Sequence, residues 1–321
     1  MNYTRILGTG GYLPSKTISN KDMEKIVETT DEWILTRTGI RNRHIMEPHE
    51  NATSMTAIAA QRAIDASGLD PKKIQLIIVA TTTPDNLFPN TAVKLQKILG
   101  ITQIEAPAFD ISAACSGFIY ALSIANQYIK NGTIDYALIV GVETLSRIVD
   151  WSDRSTCILF SDGAGAAVLG KSDAPGVYST HLHSNGEYTD LLYLDGDLYD
   201  SKNTIPRYLR MKGNEVFKVA VNKLGQIVDE TLVSNNITKK DIDWLIPHQA
   251  NLRIITAMAK KLDISMDKVI LTIEDQGNTS AASVPLALDI GIRDGRIKRG
   301  DLMLLEAFGA GFVWGSALIK Y

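Results

Sequence analysis

K-K-I-Q-L-I-I-V-A at residues 72–80 returns, 168 residues on, as K-D-I-D-W-L-I-P-H at residues 240–248. In each copy a short polar lead enters an apolar run too short for a helix. Such runs, rich in Ile and Leu, read as strands buried on both faces. A second pair, I-K-N-G at 129–132 and I-R-D-G at 292–295, is offset by 163 residues and closes a helical pattern each time. Another buried run follows each, Y-A-L-I-V-G-V at 136–142 and L-M-L-L-E-A-F at 302–308. Two offsets this close fit one duplication with small insertions. The expectation is an α/β protein of two similar halves, 1–172 and 173–321, meeting at K-S-D-A-P-G (171–176). Strands alternating with helices make each sheet largely parallel. One such helix is read over 53–68, capped by Thr53 or Ser54 and closed by Gly68.

The repeat nominates chemistry as well. Cys115 lies in D-I-S-A-A-C-S-G-F (110–118), between a strand-like run at 107–111 and an apolar helix. Carrying the offset of 163 forward from Cys115 reaches Asn278, in D-Q-G-N-T-S-A-A-S (275–283). The first repeat pair puts His248 at the end of a strand, as the counterpart of Ala80. Strand C-terminal ends are where open α/β sheets build their sites. A pseudo-twofold would therefore bring Cys115, His248 and Asn278 together. A helix N-terminus favours a thiolate and lowers its pKa. The small neighbours of Cys115 leave room for a substrate. Each residue also has a structural reading: a buried free cysteine, a hydrogen-bonded histidine, a helix cap. Cys157, in T-C-I-L-F (156–160), reads as a core residue on a strand.

The bulk numbers narrow the field. The chain has 321 residues, 45% of them hydrophobic and 21% charged, which is ordinary globular composition. A formal net charge of -3 offers no general footprint for nucleic acid or an anionic membrane. No apolar run approaches the ~18 residues of a spanning helix, and no signal-peptide pattern opens the chain, so a cytoplasmic protein is expected. Two cysteines make no disulfide framework, and no Cys/His cluster suggests a metal. His181 and His183 alternate in S-T-H-L-H-S and share one strand face as structural residues. G-T-G-G-Y (8–12) falls short of a dinucleotide loop. S-D-G-A-G-A-A-V-L-G (161–170) reads as a tight turn between strands. F-G-A-G-F-V-W-G (308–315) also joins two strands, with the backbone at Gly309 and Gly311 open to a ligand.

Taken together, several stretches resemble the 3-oxoacyl-(acyl carrier protein) synthase III family, of thiolase fold. They are T-D-E-W-I-L-T-R-T-G-I-R-N-R-H, D-I-S-A-A-C-S-G-F, D-G-A-G-A, G-N-E-V-F-K-V-A, P-H-Q-A-N-L-R-I, G-N-T-S-A-A-S-V-P and E-A-F-G-A-G-F-V-W-G, in the family's order and across essentially the whole chain. The resemblance implies two duplicated α/β halves in a five-layered αβαβα arrangement. It implies a decarboxylative Claisen condensation that starts type II fatty acid synthesis from an acyl-CoA primer, acetyl-CoA foremost, and malonyl-acyl carrier protein. Cys115 would carry the acyl group, while His248 and Asn278 bind the thioester carbonyl of the malonyl unit. A second oxyanion hole would come from the backbone N–H groups of Cys115 and Ala310, a position where many relatives have glycine. Trp33, Arg37 and Arg154 would hold coenzyme A, the indole and a guanidinium sandwiching its adenine. Gly213, Asn214, Phe217 and Asn251 would line the pantetheine channel. Leu87 and Phe88 would complete the acyl pocket of a partner subunit, making a homodimer. Lys218, Arg253, Lys260 and Lys261 would dock the acidic carrier protein. Coenzyme A enters as a substrate, so no cofactor is implied. Ser161 stands where relatives have glycine.

Other readings remain at this point. A degradative thiolase would need a second cysteine late in the chain, and none follows Cys157. A two-histidine elongating synthase would have histidine at position 278. A relative in secondary metabolism with another primer stays open. So do a non-catalytic acyl-CoA or carrier-protein binding module and a Cys-His-Asn hydrolase. The 190–206 segment reads as a long loop, and 102–107 as slightly longer than in some relatives.

Overall fold

The computed structural model describes residues 2–103, 105–195 and 207–321. The first sheet is built from β1 (Tyr3–Tyr12), β2 (Ile77–Ala80), β3 (Ala108–Ile111), β4 (Tyr136–Thr144) and β5 (Asp162–Ser172). The second is built from β6 (Val177–Ser184), β7 (Trp244–Pro247), β8 (Leu302–Gly309) and β9 (Val313–Lys320). Six helices matter for the site: α1 (Asp31–Thr38), α2 (Ala52–Ser67), α3 (Gly117–Lys130), α4 (Gly213–Ser234), α5 (Leu252–Leu262) and α6 (Ser283–Arg293).

The two sheets repeat one topology. The first has the order β1-β5-β4-β2-β3 and the second β6-β9-β8-β7, so β2, β4, β5 and β1 correspond to β7, β8, β9 and β6. Neither sheet is largely parallel. In the first, β2 runs parallel to β3 and β4, while β5 is antiparallel to both β4 and β1. In the second, only β7 and β8 are parallel. The antiparallel partner is β5, which takes up all of the stretch 161–170 but Ser161, so that stretch is not a tight turn. Its glycines and alanines are buried between layers, where a strand needs no large side chain.

Period-two alternation sorts the strand residues into layers. On β2, Ile77 and Val79 pack with Ala59, Ala60 and Ala63 of α2, while Ile78 and Ala80 point the other way. On β8, Met303, Leu305 and Ala307 join that same middle layer, while Leu304 and Phe308 pack with α4 and α5. The middle layer holds α3 through Phe118, Ile119 and Leu122, and α6 through Val284, Ala287 and Leu288. The order is thus α2, first sheet, α3 with α6, second sheet, α4 with α5: five layers. Every central strand is covered on both faces, which is why the runs at 77–80 and 136–142 carry almost no polar residues.

Local signals differ in detail. The helix read over 53–68 begins at Ala52, capped by Asn51, whose side chain accepts the Ser54 N–H; Gly68 closes it with φ of 65°. Asn51, and not Thr53 or Ser54, satisfies that orphan N–H. Cys157 is fully buried but ends a short helix, Arg154–Cys157, capped by Asp153, and does not lie on a strand. Within the long segment 190–206, Leu192–Leu194 pairs with Leu209–Met211 as a two-stranded ribbon; residues 196–206 lie outside the described residues, as does 104. No helix among the described residues is long and apolar enough to cross a membrane.

Candidate active site

The two central helices begin in matching turns. A 3-10 turn at Ala114–Ser116 leads into α3, and one at Ser280–Ala282 leads into α6. Ala114 and Ser280 each take positive φ, 44° and 49°. Non-glycine residues held there mark a backbone that surrounding structure over-determines. The register places Ala281, not Asn278, opposite Cys115, because α6 is three residues shorter than α3. The turns still correspond, and Asn278 sits just upstream of its turn.

One cavity of about 300 Å³ is lined by Cys115, His248 and Asn278 together. The resemblance and the repeat therefore converge on the same place. Cys115 is buried at the head of α3. Burial pushes its thiol up to about 12, while the Ser280 side chain draws it back. Burial thus opposes the thiolate that a helix N-terminus favours. His248 follows β7, whose pairing with β8 continues as its N–H donates to the Glu306 carbonyl at 2.8 Å. Burial holds its imidazole down at about 3, so the ring is neutral. Its Nδ1 lies 2.5 Å from the Ser283 hydroxyl. The side-chain oxygen of Asn278 accepts the Ser280 N–H at 2.9 Å. That bond fixes the amide plane and leaves the NH₂ end for the cavity. Asn278 braces the turn from two residues before it but caps neither the turn nor α6, whose N-cap positions are Thr279 and Ala282.

The backbone around Cys115 is close-packed. A Cβ on Gly309 would lie 2.6 Å from the Cys115 nitrogen and 3.2 Å from its Cβ. Glycine is there to let two backbone segments meet, and the next peptide, bearing the Ala310 N–H, follows directly. Gly309 thus meets Cys115 itself. Ser161 finds a structural role. Its hydroxyl accepts the His44 N–H at 2.8 Å, and its own N–H donates to the Asn278 carbonyl at 2.9 Å. It ties the Asn278 turn to the strand Asn42–His44.

The cavity continues outward past Gly213, Asn214 and Phe217 on α4, Asn251 and Arg253 before and on α5, and Trp33 and Arg37 on α1. Arg37 and Arg154 lie 4.6 and 4.7 Å from the Trp33 ring centroid. A flat base between indole and guanidinium needs about 7 Å, two contact distances. One guanidinium must swing away to admit it. Asn251 caps α5 and also donates to the Arg37 carbonyl at 3.0 Å. Arg253 stacks over Phe217 at 5.1 Å, and Lys218 and Lys260 are exposed nearby on α4 and α5. Lys261 is instead paired with Asp229 at 2.6 Å. Leu87 and Phe88 are 54% and 86% exposed and are not among the cavity-lining residues of their own chain. His181 and His183 share the face of β6 and both contact Glu230.

Two acidic residues escaped the sequence reading. Glu143, next to last on β4, is fully buried and accepts from Thr82 N–H, the Thr82 and Thr83 hydroxyls and Ser280. Burial raises it to about 7. It braces the turn that carries Ser280. Glu306 lines the cavity, and neither carboxyl oxygen has a partner among the described residues. Burial raises it to about 8. The signal was available, since Glu306 is the lone charge in L-M-L-L-E-A-F.

Glu306 carries a testable consequence. Its folded pKa lies above an unfolded carboxyl's 4.5, so the native state binds more protons between those values. Its contribution favours folding at low pH and is lost as pH rises toward about 8. The wild-type Tm is expected to fall more steeply between pH 5 and 9 than that of Glu306→Gln. Parallel pH–Tm curves for the two proteins would contradict this.

Comparison with known proteins agrees with the geometry. Residues 109–186 match the family model of 3-oxoacyl-(acyl-carrier-protein) synthase III, and residues 232–321 match its C-terminal model. The chain is 57% identical over 324 residues to a beta-ketoacyl-(acyl-carrier-protein) synthase III of Methylococcus capsulatus, covering 99% of each chain. The crystal structure of the synthase III from Aquifex aeolicus superposes with a TM-score of 0.93 at 46% identity, covering 99% of this chain and 100% of that one. A priming beta-ketosynthase from a polyketide pathway superposes with a TM-score of 0.95 at 38% identity, covering 99% of this chain and 96% of that one. The chain belongs to the 3-oxoacyl-(acyl-carrier-protein) synthase III family and is an acyltransferase of thiolase fold.

Proposed function

We propose that the enzyme joins an acyl-CoA primer to malonyl-acyl carrier protein in two half-reactions at one cavity. The observation that carries this is the meeting of a thiol, Cys115, with two neutral donors, His248 and Asn278, in that cavity. In the first half, the Cys115 sulfur attacks the acyl-CoA carbonyl. The carbon–sulfur bond to coenzyme A breaks, and the thiol proton leaves as coenzyme A thiol. In the second half, the malonyl thioester oxygen lies between His248 and Asn278. The bond to the carboxylate breaks, CO₂ departs and its electron pair moves onto the thioester as an enolate. The enolate carbon attacks acyl-Cys115, giving 3-oxoacyl-carrier protein and a thiolate that takes up a proton. Decarboxylation places new charge on the thioester oxygen, so preorganised donors act where charge develops. Neutral donors suit a carboxylate substrate, because an imidazolium would also stabilise the ground-state anion.

Backbone N–H groups of Cys115 and Ala310 serve the acyl oxygen in both halves. Trp33, Arg37 and Arg154 take the nucleotide end of coenzyme A, with Gly213, Asn214, Phe217 and Asn251 along the pantetheine. The exposed Leu87 and Phe88 belong to a homodimer contact that closes the acyl pocket, and Lys218, Arg253, Lys260 and Lys261 form the carrier-protein side. Of these, Lys261 is the weakest contributor, its charge already met by Asp229. Residues 1–172 and 173–321 act as two halves, one bringing the nucleophile and the other the donors. Acetyl-CoA is the primer, and the role is initiation of fatty acid synthesis.

The test is product formation by the purified enzyme with malonyl-carrier protein and a panel of acyl-CoA primers. Acetyl-CoA is expected to give the highest kcat/KM and a 3-oxobutyryl product. A branched or long primer winning by tenfold or more would move the protein to a specialised role. No CO₂ release with any primer would leave only a binding function.

A further inference from the structure

Ser283 opens α6, and its hydroxyl touches two groups. It lies 2.5 Å from Nδ1 of His248 and accepts the Gln249 N–H at 3.3 Å. All three residues are buried, with exposures of 1%, 6% and 0% for Ser283, His248 and Gln249. The Gln249 side chain is committed elsewhere, donating to the Pro247 and Ile270 carbonyls and accepting from the Thr272 and Ile273 N–H groups. It holds the segment in place but supplies no further partner to the serine.

A hydroxyl has one proton and two acceptor positions. The Gln249 N–H occupies one acceptor position. If Nδ1 carried the ring proton, it would occupy the other, and the serine proton would find no acceptor among the described residues. A buried donor left unmade is disfavoured by roughly ten- to a hundredfold in an equilibrium. If Nδ1 is bare, Ser283 donates to it and each polar group of the trio is used. The ring proton then sits on Nε2, which has no partner among the described residues, on a ring that lines the cavity.

We propose that Ser283 is the positioning residue that fixes His248 as its Nε2–H tautomer, making it a hydrogen-bond donor to the thioester oxygen and not a base toward Cys115. The proposal rests on the role given to His248 above. A hydroxyl partner carries no charge, so it orients the ring without stabilising an imidazolium, unlike the carboxylate partner of many catalytic histidines. It also accounts for a division of labour. An imidazole whose cavity-side nitrogen already bears a proton cannot take one from Cys115, and the first half-reaction proceeds with the proton leaving on coenzyme A.

The experiment uses the full-length enzyme labelled with ¹⁵N-histidine, with His248 assigned by the signal missing from His248→Gln. The expected spectrum has Nε2 protonated and Nδ1 bare. Ser283→Ala is expected to slow decarboxylation of malonyl-carrier protein by roughly 10–100-fold, the usual cost of removing an orienting partner, without a comparable loss of acyl transfer from acyl-CoA. Ser283→Thr, which keeps the hydroxyl, is expected to restore it. Should Ser283→Ala not fold, the wild-type spectrum and Ser283→Thr carry the test. A wild-type ring protonated at Nδ1 overturns the proposal, as does Ser283→Ala decarboxylating at the wild-type rate. If His248→Ala itself decarboxylates normally, the donor role fails and the reading above fails with it; the nitrogen shifts separate that outcome from a wrong tautomer.

Discussion

Cys115→Ala is expected to lose overall condensation by a factor on the order of 10⁴ or more, the scale of removing a covalent nucleophile. Among the described residues lining the cavity none but Cys115 offers a thiol, and Cys157 is fully buried and is not one of them. The variant is expected to keep releasing CO₂ from malonyl-carrier protein, because that step draws on His248 and Asn278 alone. Alanine leaves little strain, as Cys115 is flanked by Ala114 and Ser116 in a tight turn. The measurement pairs product formation with CO₂ release on one preparation. Condensation persisting within tenfold of wild type would place the nucleophile elsewhere.

The second large effect belongs to the donors. His248→Ala and Asn278→Ala should each slow decarboxylation by roughly 10²–10³, the cost of one lost donor in an oxyanion site. Acylation of Cys115 should survive in both, since neither side chain is asked to move the thiol proton. The double variant should lose less than the product of the two, because both act on one oxygen and share one transition state. Single-turnover acylation and CO₂ release, measured separately, check this. Equal loss of both half-reactions would make His248 a base toward Cys115 and contradict the assignment. No pH limb near the ordinary histidine range is expected in decarboxylation, because burial holds His248 at about 3 and its ring stays neutral across the working range.

The duplication was legible because buried strands leave a dense apolar signature. The pair 72–80 and 240–248 became β2 and β7, and 136–142 and 302–308 became β4 and β8. Sheet direction was not legible. β5 is antiparallel, yet its glycine-rich, doubly buried sequence carries no alternation and looked like a turn. The offset failed by three residues at the Cys115 turn, because α3 and α6 differ in length and only their ends were matched. Cys115, His248 and Asn278, which line one cavity, were nominated by spacing and motif. Their partners were not, because Ser283, Ser280 and Glu143 act through contacts between residues up to 137 positions apart. The burial of the thiol was not legible for a related reason. A helix end is visible in sequence, whereas the loss of water around Cys115 arises only when both turns close over it.

The central claim is that Cys115 carries the acyl group between two half-reactions in one cavity. The most direct measurement incubates the enzyme with acetyl-CoA, digests it and weighs the peptide that contains Cys115. The account predicts a mass increase of one acetyl group on that peptide, removed when malonyl-carrier protein is added, with 3-oxoacyl-carrier protein appearing in equal amount. An unmodified Cys115 peptide during active turnover, or an adduct that malonyl-carrier protein does not discharge, would contradict it.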